Sequence, residues 1–450
     1  MSELSLQACA RATGGRLVGN DVRFSRVSTD TRTLEDDELM VALVGERFDA
    51  HDMIDQDLAD RACALLVSRT LPLKTSQLLV PDTLRALGDI ARLWRAQLDV
   101  PVVAITGSNG KTTVKEMTAS ILRERGKVFA THGNLNNEIG VPLSVFAANE
   151  THDFIVLELG ANHAGEIAYL TGIANPQVAV VNNAGPSHLE GFGSLQGVAD
   201  AKGEIYTGLP ADGTAVVNVD DPFARQWAGM AGNRRLITFG MQNAADVSGE
   251  LIEPGVLRIR WDGQTVDVAL PLPGTHNAMN CLSAAGIALA LDTPLDAVAA
   301  GLEKVEASSG RLNFRRGLGG SRVIDDTYNA NPASLQAGLR VLRDKAEVRA
   351  VCVLGNMREL GEEATRMHRA VGEFARDIGI DELYCTGDLA REAAIGFGDE
   401  TRAFDDIDAL ITALRASLNE SDWVLVKGSR GARMERVVEA IVTQDTGVTD

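Results

Sequence analysis

Short, wholly apolar runs alternate along this chain with longer stretches in which apolar residues recur every three or four positions. From residue 102 onward, Val102–Thr106, Phe154–Leu159, Val178–Asn182 and Ala215–Val219 read as strands buried on both faces, and the stretches after Gly110, Gly165 and Ser194 as helices. Strands and helices in that order predict a parallel, doubly wound sheet. Between Val247 and Leu270 the period changes to two. There Leu257, Ile259 and Trp261 answer Val266, Val268 and Leu270 across Asp262-Gly263, which predicts an antiparallel hairpin added to the sheet. A helix is expected over His276–Leu291. The last third repeats the alternation, with strands at Arg322–Asp325, Ala350–Leu354, Glu382–Thr386 and Trp423–Lys427 and helices after Pro332, Glu362, Asp388 and Gly431. Ahead of all this, Glu38–Leu43, Ala64–Ser68 and Gln77–Val80 surround a helical stretch near Met53–Arg61, and a further helix is expected over Thr83–Leu98.

The 450 residues suffice for about three domains, each with its own core. The expected architecture is α/β: a small mixed α/β domain over residues 1–82, a central doubly wound domain with the antiparallel patch over 83–311, and a Rossmann-like α/β domain over 312–450. Ser308–Gly310 is expected to act as a hinge and the tail after Val442 to fray. The 43 basic and 62 acidic residues leave a net charge of −19, which repels a nucleic-acid backbone and offers no cationic face to a membrane. No nucleic-acid partner is expected, and no segment reaches the roughly 18 apolar residues of a membrane span. The five cysteines (Cys9, Cys63, Cys281, Cys352, Cys385) form no Cys-x-x-Cys pair, so neither a disulfide framework nor a zinc knuckle is indicated and a reducing cytoplasm fits. Anionic ligands must then be held by loops, helix termini, single cations and metal ions.

One such device is plain. The strand at Val102 runs into Thr106-Gly107-Ser108-Asn109-Gly110-Lys111-Thr112-Thr113 and then into a helix. Loop N–H groups and the helix N-terminus point at an anion, Lys111 adds a mobile positive charge, and the Thr112 hydroxyl can ligate Mg²⁺. This is a P-loop of a shorter variety, with Ile105 where the general pattern places a glycine. Such a turn also occurs without a ligand, but Gly-Lys-Thr after an apolar strand reads as a site for ATP.

Residues that follow the other strands carry weight, because ligands of open α/β sheets gather there. Glu158 can reach a cation beside the phosphate loop; in isolation it serves local N–H groups equally well. His188 is aimed out of the sheet by Gly185 and Pro186, although a lone histidine is more often structural. Lys202, near Asp200 and Glu204, reads by itself as a solvated helix lysine, and a bare ammonium repels a metal. Asn134, Asn136, Asn137 and Glu138 form an amide-dense turn that suits a polar ligand. His276, Asn277 and Asn280 open a helix, where an asparagine amide either matches an adenine edge or caps the helix. Arg311, after the hinge, can swing toward a transferring phosphate. Later strand ends are Asp325–Asn329, Gly355–Arg358 and Gly428–Gly431. In the first domain, Ser28–Arg32 and Gly45–His51 suit a sugar or nucleotide headgroup, or are solvated turns.

Together these segments resemble the Mur ligase family, ATP-dependent amide-forming enzymes of bacterial cell-wall precursor synthesis. The marks run through all three domains: Thr106–Thr113, Asn134–Pro142, Glu158–Gly160, Asn182–Gly193, Ala201–Glu204, Gly274–Asn280, Gly310-Arg311 and Asp325–Pro332. Leu159–Ile167, His188–Ser194 and Asp326–Pro332 look typical of members that join D-Ala-D-Ala to UDP-MurNAc-tripeptide, and the Asp-Asn-Pro-Arg motif of diaminopimelate-adding members is absent. The resemblance implies that ATP phosphorylates the carboxylate ending the tripeptide and that the dipeptide amine then displaces phosphate. It places Gly107, Ser108, Asn109, Gly110, Lys111, Thr112 and Thr113 around the phosphates, and Thr112 and Glu158 on one Mg²⁺. His188 and Lys202, the latter as an N-carbamate, serve a second metal, and Asn277 and Asn280 the adenine. Arg311 and Asp326 act near the transferring phosphate, while Asn134, Asn136, Asn137, Tyr328, Asn329 and Asn331 face the substrates. Thr31 and Arg32 would meet the UDP end, where relatives often carry Asp-Ser-Arg. A monomer whose C-terminal domain turns about residues 308–312 is expected. The alternatives are another Mur-type or folylpolyglutamate-synthase-like ligase, a nucleotide-gated switch or transport ATPase, and a non-catalytic carbohydrate-nucleotide binding module. The last is disfavoured by the joint presence of Lys111, Thr112, Glu158, His188 and Lys202.

Overall fold

The computed structural model describes residues 3–45, 47–399 and 402–443. Glu46 of the first-domain loop and the tail from residue 444, expected to fray, lie outside them. The central sheet has nine strands in the order Gln264–Ala269, Val256–Trp261, Val247–Glu253, Arg235–Gly240, Thr214–Asn218, Val178–Val181, Val102–Thr106, Phe154–Glu158, Val128–Ala130. From Val247 to the Val128 edge all pairs are parallel, and the two hairpin pairs at the other edge are antiparallel. After Val102–Thr106 the chain crosses to the edge strand Val128–Ala130, fills the gap with Phe154–Glu158, and then builds outward on the other side. That strand is therefore the point at which the order reverses, and a crevice opens at its carboxyl end.

The expected hairpin forms with Leu257 opposite Val268 and Ile259 opposite Val266, but Trp261 faces Gln264 rather than Leu270. Asp262 and Gly263 both have positive φ, 45° and 73°, as a two-residue turn of this hand demands. The helical stretch near Met53–Arg61 is split into a 3₁₀ turn, Ala50–Met53, and a helix, Gln56–Arg61, because the Asp55 side chain accepts from Leu58 N and starts the helix afresh. Helix Gly140–Ala147 was not legible: it is apolar all round and shows no period.

The first unit holds a five-stranded sheet in the order Arg16–Val18, Gln77–Leu79, Ala64–Val67, Leu39–Val41, Val27–Ser28. One face has a core of its own around Met40, Ile54 and Leu65, but the core on the other face is not separate. Leu39, Leu66 and Leu78 join Trp94 and Leu98 and then Val102, Ala104 and Leu157 in one apolar cluster. Helix Thr83–Arg95 is the bridge. Trp94 Nε1 donates to Ala148 O at 3.2 Å, and the buried Arg95 guanidinium donates to Ala174 O at 3.0 Å and Leu98 O at 2.6 Å. The last unit is a six-stranded sheet in the order Asn313–Arg316, Arg322–Asp326, Asp422–Lys427, Arg349–Gly355, Glu382–Thr386, Ala403–Phe404, with cores of its own on both faces. Asn313–Arg316, missed in the sequence for its polar and arginine content, pairs antiparallel with Arg322–Asp326 at one edge. Among the described residues no helix is long and apolar enough to cross a membrane.

Helix Lys111–Arg123, which starts at the glycine loop, is backed by helix Leu295–Glu303 at very close range. A Cβ added at Gly301 would lie 2.3 Å from Ile121 Cα and 2.8 Å from its backbone N. Gly301→Ala therefore forces the helices apart and should cost roughly 1–3 kcal/mol, read as a lower urea midpoint. Gly229→Ala, where an added Cβ meets nothing within 4 Å, should instead stabilise helix Ala224–Ala231, by about 0.5–1 kcal/mol.

Candidate active site

The glycine loop leaves the central strand at the switch point. Gly107 and Gly110 take φ of 151° and 79°, and helix Lys111–Arg123 begins with no side-chain cap, so its first N–H groups remain open to an anion. At Gly110 a Cβ would come within 2.5 Å of Asn280 Oδ1 and 2.6 Å of Asn182 Nδ2, a close approach that only glycine permits. Amides hold the loop: Asn109 N donates to Asn183 Oδ1 (2.9 Å), Asn182 Nδ2 donates to Asn109 O (3.0 Å), and Ser108 Oγ donates to Gly185 O (3.0 Å).

Lys111 Nζ folds back to donate to Gly107 O at 2.8 Å. Burial draws its pKa below the ordinary 10.5, the Arg311 charge adds to that, and Glu158 opposes it. Thr112 Oγ1 donates to Glu158 Oε2 at 2.7 Å, while Asn136 Nδ2 donates to Glu158 Oε1 at 2.7 Å. Arg311 crosses from the hinge, donates from Nη2 to Thr112 Oγ1 at 2.8 Å, and lies 4.0 Å over the Tyr328 ring. Asn331 Nδ2 reaches Asn109 Oδ1 at 2.7 Å. Asp326 is pinned by Lys427 Nζ, 2.5 Å from Oδ2; burial raises its pKa and Lys427 restrains the rise. Lys427, a residue that sequence reasoning left as strand, also donates to Asn329 O at 2.9 Å.

These groups face one cavity of about 780 Å³ between the central and last units. Of the residues singled out in the sequence, it is lined by Ser108, Asn109, Gly110, Lys111, Thr113, Asn136, Asn137, Glu158, His188, Asn277, Asn280, Arg311, Asp326, Tyr328, Asn329 and Asn331. Gly107 and Thr112 lie just behind the wall. Asn134 is exposed and outside the lining, and Thr31 and Arg32 stay in the first unit, where Arg32 pairs with Asp30 at 2.6 Å. Asn280 is engaged at both ends of its amide, accepting from Asn182 at 2.8 Å and donating to Asn277 Oδ1 at 2.9 Å. His276, also in the lining, is driven down to a pKa of about 4 by burial and by the charges of Lys427 and Arg340.

Lys202 corrects the solvated picture drawn from its neighbours in sequence. It is 1 % exposed, and its Nζ lies 5.6 Å from the Phe192 ring centroid with no hydrogen-bond or ion-pair partner among the described residues. Glu204 turns away to accept from Gly165 N and Ala168 N, and Asp200 pairs with Gln196 and Gln226. Burial, then the nearby Lys111 charge, pulls the Lys202 pKa well below 10.5. The unfolded chain thus binds more protons at this site, so the residue destabilises the fold at neutral pH and ceases to do so as pH rises through 10.5.

Comparison with known proteins follows this geometry. The family profile described as the Mur ligase middle domain matches residues 105–288, and that described as the Mur ligase glutamate ligase domain matches residues 310–430. The UDP-N-acetylmuramoyl-tripeptide–D-alanyl-D-alanine ligase of Escherichia coli K12 is 44 % identical over 455 residues, covering 99 % of this chain and 100 % of its own. A crystal structure of MurF from Acinetobacter baumannii superposes with a TM-score of 0.90 at 34 % identity, covering 98 % of each chain. MurF from Thermotoga maritima in complex with ADP gives 0.83 at 30 % identity, covering 92 % of this chain and 96 % of that one.

In carbon-dioxide-free buffer at pH 7, Lys202→Met should raise the urea midpoint by an amount worth about 1–4 kcal/mol, since it replaces a buried amine that lacks a polar partner with an apolar side chain. The gain should shrink as pH approaches 10.5. A destabilised Met variant would show that Lys202 is compensated in the fold.

Proposed function

The chain belongs to the Mur ligase family, and we propose that it is the member that joins D-alanyl-D-alanine to UDP-N-acetylmuramoyl-tripeptide, with ATP converted to ADP and phosphate. The observation that carries this reading is the convergence of Lys111, Glu158, Arg311, Asp326 and Tyr328, drawn from the central unit, the hinge and the last unit, on one cavity at the switch point. Residues 1–82 hold the UDP end, 83–311 the ATP, and 312–450 the incoming dipeptide. Every group needed comes from one chain, so a monomer working in the cytoplasm, where ATP is available, suffices.

A carboxylate resists attack by an amine until one of its oxygens becomes part of a leaving group. Phosphorylation by ATP supplies that, and the dipeptide amine then displaces phosphate through a tetrahedral intermediate. The uncapped helix and Lys111 hold the β- and γ-phosphates. Arg311, already extended across Thr112, shifts onto the transferring phosphoryl group, and Asn136 keeps the Glu158 carboxylate aimed.

The residues fit Mg²⁺. Among the described residues no group of three His, Cys, Asp or Glu side chains converges as a complete metal cage. One carboxylate, Glu158, and one hydroxyl, Thr112, lie side by side against the phosphate site, a set that suits Mg²⁺ completed by phosphate oxygens and water. There the metal would neutralise charge on the transferring phosphate. Lys202, buried and unpaired, with burial favouring its neutral amine, fits an N-carbamate: the amine nitrogen would add to carbon dioxide and release a proton, giving an anion able to share a second cation with His188.

A mixture of ATP, UDP-MurNAc-tripeptide and D-Ala-D-Ala should release phosphate, and omission of either acceptor should leave the enzyme nearly silent. Turnover with glutamate, diaminopimelate or lysine alone would move the substrate assignment to another branch, and brisk phosphate release from ATP alone would indicate a switch. Lys111→Ala should lower kcat by about 10²–10³-fold.

A further inference from the structure

One contact at the rim of the cavity joins the central and last units and has no part in the roles above. His188 follows strand Val178–Val181, and Glu359 lies in the loop after strand Arg349–Gly355. His188 Nδ1 is 2.5 Å from Glu359 Oε2. Nδ1 is sealed from solvent, and Glu359 Oε2 is the polar atom that faces it. The ring stands edge-on to Phe192, with centroids 6.4 Å apart and planes at 85°. Nε2 has no partner among the described residues, and His188 lines the cavity. Both residues take left-handed backbone, φ 51° and 64°, which turns two side chains toward each other from opposite units. Gly361 then lays the loop against Glu190: an added Cβ would stand 3.8 Å from the Glu190 N and Cα.

We infer that Glu359 is a positioning residue supplied by the C-terminal unit: it holds the His188 proton on Nδ1 and turns the Nε2 lone pair into the cavity. A neutral imidazole serves as ligand or acceptor only through its unprotonated nitrogen, and the partner of the other nitrogen decides which that is. A carboxylate on Nδ1 also makes Nε2 a stronger donor of electrons. The site given to His188 under the proposed function, on which this inference rests, is thus completed only when the last unit is seated. The contact does not block that site, because Glu359 takes the sealed nitrogen and leaves the cavity-facing one open.

The test uses the full chain and two variants. Glu359→Gly suits the local φ and removes the side chain with its carboxylate; Glu359→Gln keeps the side chain and an acceptor oxygen in place. Ring ¹⁵N NMR, with His188 assigned among the seven histidines by His188→Gln, should show one tautomer protonated at Nδ1 in the unaltered protein and a mixture in the Gly variant. Mn²⁺ binding in the presence of ADP, followed by electron paramagnetic resonance, should weaken about 10–100-fold in Glu359→Gly, with a similar fall in kcat. KM for ATP should stay within about twofold. Glu359→Gln should recover most of the loss. A Gly variant with unchanged tautomer and Mn²⁺ affinity, or with tighter Mn²⁺ binding, overturns the inference. If the unaltered protein makes no amide while its His188 tautomer still depends on Glu359, the ligase reading fails and the positioning contact stands.

Discussion

A chain with a net charge of −19 holds a triphosphate against its own overall repulsion, by concentrating cations and open N–H groups at one place. The cavity is built on that constraint. Lys111 is spent on a backbone carbonyl, Arg311 on a hydroxyl and an aromatic face, and Lys202 on no partner among the described residues. Desolvation lowers the pKa of both lysines; the Lys111 charge adds to this at Lys202, while at Lys111 the Glu158 carboxylate opposes it and Arg311 adds to it. Removing these charges from water costs stability that the empty protein does not regain locally. It is offset by the apolar cores on both faces of the central sheet, where Val103, Ile105 and Val180 on one side and Ala104, Leu157 and Val181 on the other are fully buried. Binding a polyanion returns that cost at the position where charge must be balanced.

The two junctions between units differ in kind, and the difference assigns them different duties. Residues 3–82 share an apolar cluster with the central sheet through Trp94 and Leu98, so that unit is seated by packing, which resists continuous deformation. The last unit has separate cores and meets the central unit at the cavity through Asn331 on Asn109, Glu359 on His188, and Tyr328 under Arg311. Polar contacts of this sort exchange with water at small net cost. Of the two junctions, the second is therefore the one whose contacts can part without breaking an apolar core.

Much of this was legible in the sequence because it is local. The strand Val102–Thr106 and the loop after it are contiguous residues whose types leave little choice, and they fall as the pattern says even with Ile105 in place of a glycine. What was not legible depends on partners distant in the chain. Lys202 looked solvated because Asp200 and Glu204 flank it, yet Glu204 is used to bind the start of helix Glu166–Ala174. Asn280 lines the cavity as its chemistry suggested, but its amide is held by Asn182 and Asn277, partners that no local pattern announces. Lys427 and Glu359 carry no motif of their own. They acquire meaning only when the second sheet brings them opposite Asp326 and His188, a juxtaposition that no periodicity encodes.

Backbone strain points to the same junction. Among the described residues, asparagine and aspartate account for Asp37, Asn175, Asp262 and Asp292, four of the eight non-glycine positions with positive φ, where a short polar side chain tolerates the conformation. The other four are His188, Leu312, Glu359 and Arg433. Each costs on the order of 1–3 kcal/mol and persists only where its surroundings over-determine it. None lies on the packed first junction. His188 and Leu312 line the cavity, Leu312 directly follows Arg311 at the hinge, Glu359 touches His188, and Arg433 ends the turn after strand Asp422–Lys427. Such strain is tolerable only if the contacts it aims are worth more than a relaxed loop, and at His188 and Glu359 the contact so aimed joins the last unit to the central one at the cavity.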